Sequence, residues 1–141
     1  MFTHKELIER WSDISRWDLP PFQVAEHVRS KDFVFWDEGT GYISAFHGEK
    51  RWFESGLHFW IATLQVVNGY DVEGGLCVPR SQDEFAKLVG DHSSSLRKLS
   101  GFLLDLNGFV AGLKMYDDWN EFGAVAELPE VFVAFYWMTN A

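Results

Sequence analysis

The segment Val131–Trp137 constrains the fold more than any other part of the chain. It reads Val-Phe-Val-Ala-Phe-Tyr-Trp, so both alternating faces of an extended chain would be apolar. Such a strand belongs in the interior of a sheet that is covered on both sides, because at an edge it would promote aggregation. The apolar stretch continues only to Met138, far short of the roughly twenty residues that a membrane helix needs. We therefore expect a buried central strand and no membrane span.

Further strands are indicated by short aromatic-rich or apolar runs that are separated by glycine-rich or acidic turns. The first three form a predicted antiparallel meander, with a two-residue turn at Gly48-Glu49. Pro79 is expected to stop the fourth strand, because proline cannot donate a hydrogen bond to a ladder. The predicted strands cover residues 33–36, 42–47, 50–54, 76–78, 109–116, 123–127 and 131–137.

Helices are indicated by capping residues that precede apolar side chains at helical spacing. Thr3 with Glu6, and Ser81 with Glu84, each form a capping-box pattern, and Pro21 suits the first position of a short helix. The predicted helices cover residues 4–16, 21–30, 57–67, 82–90 and 93–106. Together the elements predict a single α+β domain over residues 1–141, in which a largely antiparallel sheet is packed with about five helices.

The charge of the chain restricts its partners. The formal net charge is −9, and residues 71–141 hold eleven acids against five bases. After Lys98, six acids are opposed only by Lys114. Such a field repels nucleic-acid phosphates and anionic lipid, whereas it attracts basic proteins. We expect a protein partner with a basic surface, and neither a nucleic-acid nor a membrane partner.

Cysteine usage and the first residues indicate a compartment. A single cysteine, Cys77, excludes an internal disulfide and a cysteine-based zinc cluster, which is typical of a reducing environment. The chain begins Met-Phe-Thr-His-Lys-Glu, and no apolar run of the length of a secretion signal follows. These features favour the cytoplasm.

Patterns for catalysis, metal binding and cofactor binding are missing from the sequence. The five histidines are scattered, without the short spacings that bring two imidazoles onto one ion. There is no Gly-x-Ser-x-Gly elbow, and the glycine-rich turns lack the lysine of a phosphate loop. A partial calcium-loop pattern from Asp118 to Gly123 fails, because its twelfth position is Pro129 instead of glutamate. We predict no catalytic residue, no metal and no cofactor.

The acidic segment between the strands predicted at 109–116 and 123–127 is the strongest candidate for a binding site. It surrounds Trp119 with carboxylates, and this combination suits an Arg or Lys side chain from a basic partner. The alternative is that Trp119 folds back onto the sheet and the acids are ordinary turn residues. A similar candidate lies around the first predicted hairpin. The predicted partner-binding residues are Asp117, Asp118, Trp119, Asn120 and Glu121 in the first site, and Trp36, Asp37, Glu38 and Tyr42 in the second.

These features favour a non-enzymatic acidic protein that neutralises a protein partner. Its general character is that of bacterial immunity proteins, antitoxins and phage-encoded inhibitors. Two alternatives stay open. One is a small enzyme or ligand-binding domain in which His47 or His58 acts with a nearby carboxylate as acid and base. The other is a carbohydrate-binding module that uses exposed faces of the seven tryptophans.

Overall fold

A computed structural model describes residues 1–11, 25–34, 40–67, 75–91 and 105–139. In chain order these residues form helix α1 (His4–Trp11), strands β1 (Ala25–Val34) and β2 (Thr40–Glu49), a 3-10 turn (Lys50–Trp52), helix α2 (Gly56–Val67), strand β3 (Val78–Arg80), helix α3 (Gln82–Leu88), and strands β4 (Ala111–Asp118), β5 (Glu121–Glu127) and β6 (Val131–Thr139). Within these ranges no helix has the length and apolarity needed to cross a bilayer.

The six strands form one antiparallel sheet in the order β1-β2-β6-β5-β4-β3. Strand β6 lies in the interior of the sheet, with β2 paired on one side and β5 on the other. Its neighbouring residues Phe135 and Tyr136 point to opposite faces, and both are fully buried. The prediction of a central strand covered on both sides is therefore confirmed.

Helices α1 and α2 cover one face of the sheet. Trp60 of α2 is fully buried in a cluster with Leu7 of α1 and with Tyr136. In the same cluster Phe59 stacks on Phe132 of β6, with 5.5 Å between the ring centroids. Burial of each of these large side chains stabilises the fold by about 1.5–3 kcal/mol through removal of apolar surface from water. This face is therefore fixed by aromatic packing between α2 and β6.

Helix α3 covers the opposite face. Its Phe85 packs against Phe109 and Phe135, with ring centroids 5.8 and 6.4 Å away. The predicted capping box at the start of α3 is confirmed, because the Ser81 hydroxyl accepts a hydrogen bond from the Glu84 N–H at 3.2 Å and the Glu84 carboxylate accepts one from the Ser81 N–H at 3.0 Å. The hydrogen bond from the Ser81 backbone holds the pKa of Glu84 below its usual value.

The fold-class prediction of an α+β domain with about five helices is wrong in its helices. The described residues contain three α-helices, and strand β1 occupies most of the segment predicted as the second helix. That segment includes His27, Val28 and Ser30, which have low helix propensity, and pairing with β2 satisfies backbone groups that a short helix would leave exposed. The helix predicted from residue 93 lies almost wholly outside the described residues.

The predicted strand at residues 50–54 is also wrong. Strand β2 continues through the expected turn as far as Glu49, and a 3-10 turn follows it. The reason is its unbroken pairing with β6, from Gly41 opposite Thr139 to Glu49 opposite Val131. Gly48 is needed for packing instead of turning, since a Cβ atom there would lie 2.5 Å from the Phe53 ring.

Strand β3 differs from the prediction in its position. Pro79 lies at its centre, between Val78 and Arg80, whereas the sequence pattern placed the proline beyond the end of the strand. Strand β3 is at the edge of the described sheet. An edge strand tolerates proline, because one row of its backbone groups has no neighbouring strand to bond.

Gly123 of β5 should not tolerate a side chain. An added Cβ atom would lie 2.7 Å from the Tyr116 ring and 3.1 Å from the Trp60 ring. We expect Gly123→Ala to lower the free energy of unfolding by about 1–3 kcal/mol in a denaturant titration, because closely packed rings must shift. Gly90→Ala is the matched control. Nothing lies within 4 Å of its added Cβ atom, so stability should stay unchanged or rise by up to about 1 kcal/mol. Equal losses in both variants would contradict this packing.

Candidate functional site

The acidic candidate segment forms the tip of the β4–β5 hairpin. Asp118 and Glu121 are the last paired residues, and Trp119 with a half-buried Asn120 makes the turn between them. The Trp119 side chain is 66% exposed, more than any other large apolar side chain among the described residues. The alternative in which Trp119 folds back onto the sheet is therefore wrong. Its indole lies in solvent, next to Asp118 in the chain.

A β-bulge in β4 allows the first carboxylate of the tip, Asp117, to pair with Lys114. The register between β4 and β5 shifts between Lys114 and Tyr116, which leaves Met115 as the extra residue. Side chains three residues apart point to opposite faces of a regular strand, but the bulge brings Lys114 and Asp117 to the same face. Their Nζ–Oδ2 distance is 3.3 Å, and the Lys114 side chain is only 18% exposed. The charge of Asp117 is thus balanced within the protein.

Another carboxylate of the tip points inward. Glu121 accepts a hydrogen bond from the hydroxyl of Tyr136, whose side chain is fully buried. The same hydroxyl lies 3.9 Å from the sulfur of Met138. Buried phenol groups need a hydrogen-bond partner, and Glu121 supplies one. Glu121 therefore links one side of the tip to β6.

Asp118 differs from the carboxylates on either side of it. It is exposed, and within the described part of the chain its carboxylate has neither a hydrogen bond nor an ion pair. The tip therefore presents one unengaged carboxylate, from Asp118, and one exposed indole, from Trp119. An indole face attracts cations, and the adjacent carboxylate adds a full negative charge. This arrangement can bind a cationic side chain.

The second predicted site is only partly described. Three of its residues lie outside the described ranges: Trp36, Asp37 and Glu38.

The fourth residue, Tyr42, lies in β2, where it pairs with Met138 of β6. Met138 pairs in turn with Glu121 of β5. Glu121 pairs with Asp118, so the row crosses four strands. At about 4.8 Å per strand, the backbones of Tyr42 and Asp118 are about 14 Å apart. The fold therefore brings Tyr42 to the same end of the sheet as the hairpin tip.

The histidine alternative gains no support from the described residues. His58 is buried at the start of α2, where its Nδ1 accepts a hydrogen bond from the Glu54 N–H at 2.9 Å. The Glu54 carboxylate is exposed and pairs with Arg10 at 3.2 Å, so it is not a desolvated acid beside the imidazole. His47 is half-buried in β2, opposite Val133. Three surface cavities formed by described residues have no histidine in their walls.

Exposed tryptophans do not form a single platform in the described part of the fold. Trp60 is fully buried, whereas Trp52 is 44% exposed and Trp119 is more so. Trp52 lies at the end of the sheet where β6 begins, and Trp119 lies at the end where β6 finishes. These two levels are seven residue steps apart along β6, which corresponds to about 24 Å at about 3.4 Å per residue. One sugar ring cannot contact both, so the carbohydrate alternative gains no support here.

The described residues contain neither a metal site nor a reactive thiol. No group of three or more His, Cys, Asp or Glu side chains in these ranges could hold a metal ion. Cys77 is buried. Burial, with a smaller contribution from the charge of Glu6, raises the pKa of its thiol to about 11. The group is therefore protonated near neutral pH, which makes it a poor nucleophile.

No known relative identifies the site. The chain has no significant match to a protein-family model, a curated protein or a solved structure. A functional proposal therefore depends on the geometry of the hairpin tip.

Sequence reasoning missed two residues that shape the tip, Lys114 and Tyr136. The role of Lys114 could have been predicted, because it is the only Lys or Arg after Lys98 and is therefore the expected partner for a nearby acid. The sequence indicates the role of Tyr136 less clearly. A tyrosine inside an apolar strand implies a buried hydroxyl that needs a hydrogen-bond partner. That this partner is Glu121 depends on the pairing of β5 with β6.

Cys77 should react slowly with alkylating reagents while the protein is folded. A pKa of about 11 instead of 9.0 lowers the thiolate fraction at pH 8 about 100-fold. We expect iodoacetamide to modify the folded protein at least about 100-fold more slowly than the guanidinium-unfolded chain, as measured by mass spectrometry. Because the pKa is higher in the folded state, the contribution of the thiol to stability is full below about pH 9 and is lost as the pH rises towards about 11. Equal alkylation rates in the two states would contradict this assignment.

Proposed function

We propose that this protein is a non-enzymatic binding protein that neutralises a basic protein partner through the tip of the β4–β5 hairpin. In physical type it corresponds to a bacterial immunity protein, an antitoxin or a phage-encoded inhibitor. The observation that carries the proposal is the 66% exposure of Trp119 next to the unengaged carboxylate of Asp118. Protein interfaces obtain most of their binding energy from a few anchors, among which tryptophan is prominent.

The tip has a fixed position before any partner arrives. Strand β4 is paired with β5 along its length, and β5 is paired with β6. The ion pair between Lys114 and Asp117 and the hydrogen bond between Tyr136 and Glu121 connect the two sides of the tip to the sheet. Little conformational entropy is therefore lost when a partner covers Trp119.

The charge of the molecule supports a basic partner. A net charge of −9 creates a field that speeds the approach of cationic surfaces and repels nucleic acids and anionic lipid. A single cysteine, which cannot form an internal disulfide, fits a reducing compartment. We therefore propose that the interaction takes place in the cytoplasm.

Substitutions at the tip should weaken partner binding without unfolding the protein. The partner is identified by copurification with the tagged protein from its native cell, and its affinity is then measured by calorimetry. We expect Trp119→Ala to weaken the affinity at least about 30-fold and Asp118→Lys at least about tenfold. Both side chains are exposed, so the free energy of unfolding should change by less than about 0.5 kcal/mol. Trp52→Ala is the control, because it removes an exposed indole at the other end of the sheet and should leave the affinity unchanged.

Neutralisation is measured with the purified partner. One equivalent of the protein should inhibit the activity of the partner, and the association rate constant should fall at least about tenfold between low and roughly 0.5 M salt. Association that does not depend on salt, or inhibition that survives both tip variants, would contradict the proposal.

A further inference from the structure

The far end of the sheet shows how this protein holds a guanidinium group. The Arg51 Nε donates a hydrogen bond to the Glu49 carboxylate at 2.6 Å, and the guanidinium carbon lies 5.0 Å from the centroid of the Trp52 ring. Arg51 is largely exposed and Trp52 is partly exposed, so the cluster forms in contact with water. It satisfies two preferences of arginine together, since the guanidinium lies over an aromatic ring and its Nε–H bonds to a carboxylate.

The hairpin tip carries the same two chemical groups without the cation. Asp118 supplies the carboxylate and Trp119 the indole, and neither side chain has a partner within the described part of the chain. Asp117 is already paired with Lys114, and Glu121 accepts the hydrogen bond of Tyr136. Asp118 is therefore the carboxylate of the tip that is available to pair with a cation.

We infer, on the basis of the proposed function, that the group recognised at the tip is an arginine side chain of the partner. Its guanidinium pairs with Asp118 and stacks on Trp119. Lysine does not fit as well, because its ammonium is a compact, strongly hydrated charge that cannot stack on a ring as a planar group. The cluster of Glu49, Arg51 and Trp52 is an internal example of a guanidinium held by a carboxylate and an indole.

A second copy of the chain does not supply this arginine. Each copy carries a net charge of −9, so two copies repel each other. Among the described bases, Lys5, Arg10, Lys50, Arg51 and Lys114 pair with carboxylates of their own chain, and the Arg80 guanidinium donates a hydrogen bond to the Pro79 carbonyl. The repulsion between two copies therefore favours a different, basic protein as the source of the arginine.

The inference is tested with two blocked peptides of equal length and charge, Gly-Arg-Gly-Arg-Gly-Arg-Gly and Gly-Lys-Gly-Lys-Gly-Lys-Gly. Each is titrated into ¹⁵N-labelled protein, and the indole N–H resonance of Trp119 is followed by NMR, with Trp119→Phe used for its assignment. We expect the arginine peptide to bind at least about threefold more tightly than the lysine peptide. Asp118→Asn should remove this preference. Asp83→Asn, which makes the same charge change on exposed α3, should preserve it.

The possible outcomes separate this inference from the proposed function. Equal shifts with both peptides, lost in Asp118→Asn, would overturn the arginine preference and leave an acidic binding site at the tip. The absence of any shift at Trp119 with either peptide would overturn both. An equal loss of affinity in Asp118→Asn and Asp83→Asn would show a general charge effect, and so overturn the role given to Asp118.

Discussion

Burial of both faces of β6 is the constraint on which the rest of the structure depends. Phe135 and Tyr136 point in opposite directions, so each face of the sheet must be covered by helices, and β6 must lie between two other strands. The placement of β5 follows from this, since it is paired with β6 along its length. The hairpin that β5 makes with β4 therefore extends from the interior of the sheet, and its tip has a defined position.

The character of the tip is set by groups outside the turn. Three carboxylates close together repel one another, but two of them are engaged, Asp117 by Lys114 and Glu121 by Tyr136. Both contacts reduce the repulsion and also fix the hairpin. The charge that is left, on Asp118, lies next to the exposed Trp119. A segment that is merely acidic in composition thus becomes a small surface with one carboxylate and one indole.

Local sequence patterns predicted the elements whose signals are local. The capping residue Ser81 predicted the start of α3, and the run of apolar residues on both faces predicted the central strand β6. Local patterns failed for β1, because its backbone groups pair with those of β2, and neither helix propensity nor apolar spacing reports such pairing. The tip could be located from its composition. Which carboxylate is unengaged could not, since that depends on the bulge at Met115 and on the register between β5 and β6.

The edge strand β3 affects how the protein behaves when it is crowded with copies of itself. A sheet with aromatic side chains on both faces resembles the building block of a fibril, and fibril growth requires an edge whose backbone groups accept another strand. Pro79, at the centre of the three-residue β3, has no N–H to offer to such a strand. Addition of another chain at this edge is therefore interrupted. The high aromatic content of the sequence can drive formation of the core without also driving amyloid-like stacking at β3.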